Sequence, residues 1–173
     1  MPVNFGYLNA EEYKAIRKVV GFSQQEIQHF HGLKNIRTIN QWETGRNTIS
    51  LCACDKLVAL SHKVYDDIKR KFWDIRKHRT QPAIFLSYDY DEDGEYIKPL
   101  IDEYHSLSVY KMTIYRGYVE ALERGLDAHI VMFNKRDYES YLEALNLDDT
   151  LDNREDWARV HYLKLKRSWV EIT

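Results

Sequence analysis

The sequence is poor in residues that interrupt or cross-link a chain. Its 173 residues include 3 prolines, 7 glycines and 2 cysteines, so long regular elements are expected and a disulfide framework is excluded. Cys52 and Cys54 lie two residues apart in a predicted helix, where their side chains diverge, so we expect reduced thiols. Apolar runs are also short. None approaches the roughly 20 residues that cross a bilayer, and residues 1–4 lack the order of a signal peptide, so we expect a cytoplasmic protein with no membrane partner.

Net charge is nearly absent as well, but this is an average over two unlike halves. The chain has 25 Lys and Arg against 27 Asp and Glu, a formal charge of -2. Residues 1–80 contain 14 basic and 8 acidic residues, whereas residues 81–173 contain 11 and 19. We therefore predict a basic domain over residues 1–80, suited to a polyanion such as nucleic acid, and an acidic region over residues 81–173.

Three short helices are predicted at the start of the chain. Helical periodicity places them over residues 9–20, 23–31 and 35–44. Ser23-Gln24-Gln25-Glu26 has the pattern of a capping box. A turn containing Gly32 joins the second helix to the third, which is the arrangement of a helix-turn-helix. The predicted N-caps are Asn9, Ser23 and Asn35.

The residues on both sides of this turn resemble a known family. Phe22-Ser23-Gln24-Gln25-Glu26-Ile27 is followed by Gly32 and then by Thr38-Ile39-Asn40-Gln41-Trp42-Glu43-Thr44-Gly45-Arg46. This order resembles the DNA-binding domain of the phage repressor and Cro type, called the XRE family, over roughly residues 8–60. Gln28 stands where the family usually has a small residue, and the interval from Gly32 to Trp42 is one residue longer than usual, which predicts a wider turn.

In a helix-turn-helix the third helix enters the major groove, so its outward residues contact base edges. No Asp or Glu occurs between Leu33 and Gln41, which favours DNA over a protein partner for this helix. The predicted base-contacting residues are Arg37, Thr38, Asn40 and Gln41. The predicted phosphate contacts are Gln24, Arg46 and Asn47, and the predicted supporting residues are Ile39, Trp42 and Gly45.

The remaining sequence predicts a long helix and then a mixed region. Apolar spacing predicts a helix from Ser50 to about Arg79, whose basic residues within 69–79 are interpreted as a solvated face. Two strands, over residues 83–88 and 129–133, alternate with helices. These helices are predicted over residues 99–104, starting at Pro99, over 108–124, capped by Ser108, over 134–145 and from Asp152. The residues predicted to face inward from the helix over 108–124 are Val109, Met112, Tyr115, Val119 and Leu122.

The predicted fold is therefore mainly α: an N-terminal helix-turn-helix bundle, a long connecting helix and a C-terminal α+β region with two short strands. This order resembles a family of small bacterial and phage regulators that includes the YdiL-like proteins and the repressors encoded beside anti-CRISPR genes. That resemblance implies that the second region, here roughly residues 83–133, mediates dimerisation.

The sequence does not match the residue spacing of a metal site or of a known catalytic motif. The acidic segment 89–95 imitates a calcium loop, but its twelfth position is Leu100 and a strand precedes it, so we interpret it as a solvated turn with Gly94 at positive φ. The histidines and cysteines match no zinc pattern, and no catalytic motif occurs. We expect no metal, no cofactor and no catalytic residues.

The sequence thus predicts a homodimeric, sequence-specific transcriptional regulator that is not an enzyme. It would act as a repressor, its own gene being one target, by binding double-stranded DNA at an inverted repeat. The alternative is an antitoxin-like or adaptor module whose acidic C-terminal region binds a protein partner.

Overall fold

The computed structural model describes residues 8–77, 82–89 and 94–170, and the side chains in these ranges other than 71–77 and 165–170. Over these ranges the chain is mainly helical with two short strands, which confirms the predicted fold class. The elements are α1 (Ala10–Val20), α2 (Gln24–Phe30), α3 (Arg37–Glu43), α4 (Leu51–Lys77), β1 (Ala83–Ser87), α5 (Gly94–Tyr104), α6 (Leu107–Glu123), β2 (Ala128–Met132), α7 (Lys135–Leu145) and α8 (Leu151–Val170).

Local capping contacts fix the starts of several helices. Asn9 and Glu12 form a capping box at α1, and Ser23 and Glu26 form one at α2. At α7 the Asn134 side chain accepts a backbone N–H at 3.0 Å. The caps predicted at Asn9 and Ser23 are confirmed, because each contact joins residues only three positions apart.

Two other predicted caps are displaced. At α3 the N-cap is Ile36, with no side-chain cap bond, while Asn35 Oδ1 accepts from the Arg37 N–H at 2.8 Å. At α6 the cap is Ser106, whose Oγ accepts from the Val109 N–H at 3.2 Å. In both places the neighbouring polar residues offered more than one capping register.

Helix α5 differs most from its prediction. It begins at Gly94, so Pro99 lies inside the helix and not at its start. Pro99 is the sixth of the eleven residues of α5, so the helix lacks the N–H that would otherwise donate to the Glu95 carbonyl. Gly94 accordingly has helical backbone angles and not the positive φ that was expected.

The two strands form a parallel pair. Ala83 aligns with Ala128 and Ser87 with Met132, so Phe85 and Ile130 share one face. A parallel pair needs a long crossover, which α5 and α6 supply. All five residues of β1 are buried, as is typical of a parallel strand covered on both faces.

The chain divides into two compact units. Unit 1 contains α1, α2, α3, α4 as far as Arg70, and residues 99–113, and its fully buried side chains include Tyr13, Ile27 and Leu57. Unit 2 contains residues 71–98 and 114–173. Its largest fully buried side chains include Trp157, Tyr88 and Tyr138. Large aromatic rings thus fill much of the core of unit 2.

The inward direction predicted for α6 is confirmed at Val109, which is fully buried, and is wrong at three of the five predicted residues. Tyr115, Val119 and Leu122 are 43%, 51% and 47% exposed. The core side of α6 instead carries Gly117, where an added Cβ would lie 2.8 Å from the Phe85 ring. The helix is apolar on both sides, so its periodicity did not distinguish the packed side. We call Tyr115, Val119 and Leu122 the α6 outer face.

Some predictions concern residues outside the described part of the chain. These are the side chains of the basic cluster at positions 71 and 76–79, and residues 90–93 of the acidic turn. Among the described helices, none combines the length and apolarity needed to cross a bilayer.

Candidate nucleic-acid interface

A buried aromatic cluster holds the first three helices together. Tyr13 of α1 meets Trp42 of α3 edge to face, with ring centroids 5.7 Å apart, and its hydroxyl lies 2.9 Å from His31 Nε2. Ile39 is fully buried beside them, and Trp42 is 6% exposed. Ile39 and Trp42 therefore lie on the packed side of α3, in the positions expected of supporting residues.

The opposite side of α3 is exposed. Arg37 and Asn40 are exposed, and Thr38 and Gln41 are half-buried. Residues three and four apart lie on one side of a helix, so Arg37, Asn40 and Gln41 form one polar surface. The structure thus brings Arg37, Asn40 and Gln41 together on the outer side of α3 and places the half-buried Thr38 at its edge.

The chain then folds back on the end of α3. Gly45 has a φ of +68°, which lets the chain reverse, and the backbone N–H groups of Arg46 and Asn47 both donate to the Gln41 carbonyl. Asn47 Nδ2 also donates to Gln41 Oε1 at 2.9 Å. This bond orients the Gln41 amide and leaves its NH₂ group to face another acceptor. Arg46 and Asn47 are both exposed.

A buried ion pair joins α1 to α3. Arg17 and Glu43 are each 6% exposed, and the guanidinium contacts the carboxylate through Nε and also through Nη2, at 3.3 Å. Arg17 Nη1 donates to the Phe22 carbonyl at 2.5 Å. Gln24 Nε2 donates to Glu43 Oε2 at 2.8 Å. The side-chain amide of Gln24, predicted to contact phosphate, is thus bonded to Glu43 within the protein.

This pair decides the sign of the exposed charge around α3. Between residues 33 and 47 the charged side chains are Lys34, Arg37, Glu43 and Arg46, and Glu43 is the one that is buried. Its charge is neutralised by Arg17 inside the protein. The exposed charges of α3 and its flanks are therefore all positive.

Burial also sets the protonation of the aromatic cluster. Burial, followed by the charge of Lys56, lowers the pKa of His31 from 6.5 to about 4. Burial, followed by the charge of Glu43, raises the pKa of Tyr13 above its usual range. Both groups are thus neutral near pH 7, and the Tyr13–His31 hydrogen bond joins two uncharged partners.

Residues 99–113 bind to α2 within unit 1. Ser106 Oγ donates to Glu26 Oε1 at 2.7 Å. Burial alone would raise the pKa of Glu26, but hydrogen bonds from Ser23 and Ser106 lower it. At Gly21 an added Cβ would lie 2.8 Å from Met112 Cβ, so this approach requires glycine. Segment 99–113 therefore supports the helix-turn-helix, although it lies far away in the sequence.

Gln28 closes the turn between α2 and α3. Its Nε2 donates to the Leu33 carbonyl at 2.8 Å. This bond satisfies a backbone acceptor of the turn.

The sequence interpretation missed Arg17, Glu43 and His31. Arg17 lies between Tyr13 and Val20 on the apolar side of α1, a position that signals a buried cation needing a partner. No comparable signal identifies its partner, because Glu43 is 26 residues away and the pairing depends on tertiary packing.

Within the ranges that the structure describes, no three His, Cys, Asp or Glu side chains are grouped closely enough to hold an ion. Both cysteines are free, Cys52 exposed and Cys54 buried.

Comparison with known proteins gave no assignment. No protein-family model matches the sequence, and no curated protein matches it significantly.

Proposed function

We propose that the chain is a sequence-specific regulator that binds double-stranded DNA through α3. The observation that carries this proposal is the burial of Glu43 against Arg17, which leaves Arg37 and Arg46 as exposed cations beside the exposed amide of Asn40. A helix entering the major groove needs such a surface, because phosphates surround the groove and base edges offer paired donors and acceptors.

Each exposed residue of α3 has a chemical role in this proposal. Arg37 binds guanine O6 and N7 in bidentate fashion, and Asn40 or Gln41 binds adenine N6 and N7. Thr38 contacts the methyl group of thymine. The bond from Asn47 to Gln41 supports this role, since a fixed amide loses less side-chain entropy on binding.

Phosphate contacts come from the turn after α3. Arg46 supplies the charge and Asn47 a neutral donor, and both are exposed. The side-chain amide of Gln24 can contact phosphate only if its hydrogen bond to Glu43 opens.

Fluorescence anisotropy with a duplex selected from random DNA tests the proposal. We expect Arg37→Ala to cost about 1–3 kcal/mol of binding energy and to relax the preference at one base pair. Arg46→Ala is expected to weaken binding to every duplex and to reduce the salt slope by about 1.

The matched control is Arg136→Ala, which removes an exposed arginine from α7 in unit 2. It should leave both affinity and salt slope unchanged. If Arg37→Ala and Arg46→Ala behave like this control, α3 is not the DNA-contacting helix and the proposal is overturned.

The proposed regulator is a homodimer, and the α6 outer face supports this. Tyr115, Val119 and Leu122 follow each other at intervals of four and three residues, the spacing of a helix–helix seam. A two-fold axis at Val119 would place Tyr115 of one copy opposite Leu122 of the second. It would also place Arg116 near Glu123, so the flanking charges are complementary in an antiparallel pair.

The α6 outer face also suits a different protein, as in an antitoxin-like or adaptor module. Affinity purification followed by native mass spectrometry distinguishes the two. A stoichiometric foreign partner, together with no salt-dependent binding to any duplex, would favour the module over the DNA-binding regulator.

A further inference from the structure

Unit 1 contains a cavity of about 750 Å³ beside the helix-turn-helix. Its apolar floor is formed by Phe30 of α2, Leu60 of α4 and Ile101 of α5. Leu60 is 4% exposed, so this floor is continuous with the core. Small-molecule sites have this size and this apolar lining.

The rim of the cavity is polar and more basic than acidic. It carries His29, Lys56, Lys63 and His105 against one carboxylate, Asp102. Lys63 Nζ is already held by Glu103, at 2.8 Å, and by Asp67, at 3.5 Å. Lys56 is exposed, so it is the ammonium best placed to meet a ligand.

The two histidines at the rim differ in the part of the ring that a ligand can contact. His29 Nδ1 lies 2.8 Å from the Gln25 carbonyl, which can only accept, so Nδ1 carries the proton and Nε2 is available to a ligand. The His105 ring packs on Phe30, with centroids 4.9 Å apart, from a backbone φ of +63°. Such a φ is uncommon outside glycine and occurs often at ligand sites.

We propose that this cavity binds a small amphipathic carboxylic acid. The carboxylate pairs with Lys56, and the apolar or aromatic body packs against Phe30, Leu60 and Ile101. A charge-assisted hydrogen bond at the rim and apolar burial at the floor together match this class of ligand.

Binding at this cavity would act on the helix-turn-helix. Phe30 is the last residue of α2, and the chain continues from it through the turn into α3. A ligand in contact with Phe30 changes the affinity for DNA if it binds two conformations of that turn unequally. This regulatory consequence depends on the proposed function, whereas binding of the acid does not.

The test uses the full chain without DNA. The probes are 3-phenylpropionate, 4-methylpentanoate and the uncharged 3-phenylpropanamide, followed by isothermal titration and by methyl NMR spectra. We expect both acids to shift the Leu60 and Ile101 methyl signals and to leave the Val131 signals in unit 2 unchanged. The amide should bind about tenfold more weakly, because it lacks the charge that pairs with Lys56.

Two variants locate the site. Lys56→Gln should weaken binding of the acids about tenfold, whereas the matched variant Lys34→Gln, which lies outside the cavity, should not. Ala59→Trp fills the cavity from an exposed position and should abolish binding, with an unchanged circular dichroism spectrum showing that the fold is kept.

The proposal is overturned if neither acid shifts these methyl signals at millimolar concentration, if acid and amide bind equally, or if Ala59→Trp still binds. A DNA titration with and without 3-phenylpropionate then tests the regulatory step. Binding of the acid together with no DNA affinity would reject the proposed function and keep the site.

Discussion

Burial of Glu43 removes a negative charge from the candidate interface. Its carboxylate lies inside the protein against Arg17, so the surface of α3 presents cations and amides. Both charges are desolvated, and their mutual attraction together with the bond from Gln24 offsets that cost. One residue of α1 thus determines the electrostatics of a helix that it does not belong to.

Removing one partner of this pair should be costly. We expect Arg17→Met to lower the free energy of unfolding by about 3–5 kcal/mol, because it leaves the Glu43 carboxylate buried without a cation. Urea denaturation followed by circular dichroism measures the change.

The double variant Arg17→Met, Glu43→Leu should recover most of this loss, since an apolar pair needs no compensation. Glu120→Gln, which breaks the more exposed pair with Arg124, serves as the control and should cost less than about 1 kcal/mol. A double variant no more stable than Arg17→Met would show that the loss arises from packing and not from an unpaired charge.

His31 should make stability depend on pH. Its folded pKa is about 4 and its ordinary value 6.5, so between these values the unfolded chain binds a proton that the folded ring does not. The free energy of unfolding therefore falls as the pH drops from 6.5 towards 4. Because the ring is partly exposed and screened by solvent, we expect a loss of about 1–2 kcal/mol.

Urea denaturation at several pH values, compared between the wild type and His31→Gln, isolates this contribution. The variant should lose the part of the slope that lies between pH 6.5 and 4. His62→Gln, at an exposed position, should keep it. Equal slopes in the wild type and His31→Gln would contradict the assignment.

At the scale of elements, α6 shows that close approach can outweigh helix propensity. Gly117 lies in the middle of α6, where alanine would favour the helix by about 1 kcal/mol. A Cβ there would lie 2.8 Å from Phe85 Cε1, and Phe85 is 2% exposed. The glycine therefore allows β1 to pack against the helix.

We expect Gly117→Ala to destabilise the protein by about 1–3 kcal/mol, since the Phe85 ring must move within a packed core. Thermal unfolding measures the effect. Gly94→Ala is the matched helical control, because none of the described residues lies within 4 Å of its added Cβ, and it should be neutral or stabilising. A stabilising Gly117→Ala would show that the core accommodates the methyl group.

Capping residues predicted α1 and α2 well, whereas α5 and α6 were predicted less well. A capping box is a contact within four residues, so its pattern is visible in the sequence. Pro99 gave a misleading signal, because its place inside α5 depends on a start at Gly94.

At the scale of the whole molecule, self-association through the α6 outer face should be visible in solution. Val119→Lys should convert dimers into monomers at concentrations where the wild type is dimeric, because two lysines would meet at the proposed two-fold axis. Sedimentation velocity measures this change.

Val160→Lys introduces the same charge at an exposed valine of α8 and should leave the dimer intact. The pair Arg116→Glu, Glu123→Arg should dimerise better than either single variant, since it restores opposite charges across the axis. A wild type that sediments as a monomer at all concentrations would reject the homodimer.

The sequence by itself determined the helical class, the order of the elements, several helix starts and the basic character of the first half. These depend on neighbouring residues, on apolar periodicity and on composition, all of which act locally or as sums. They placed Arg37, Asn40 and Gln41 on the outer side of α3 and Ile39 on its inner side, as the structure has them.

Only the tertiary structure decided which apolar side of α6 packs against the core, that Glu43 is buried, and which distant segment contacts α2. Arg17 pairs with Glu43 across 26 positions, and Ser106 bonds to Glu26 across 80. Each contact joins residues far apart in the chain, so the local sequence does not identify the partner. The scarcity of net charge therefore did not exclude a polyanionic partner, because burial, and not composition, decides which charges reach the surface.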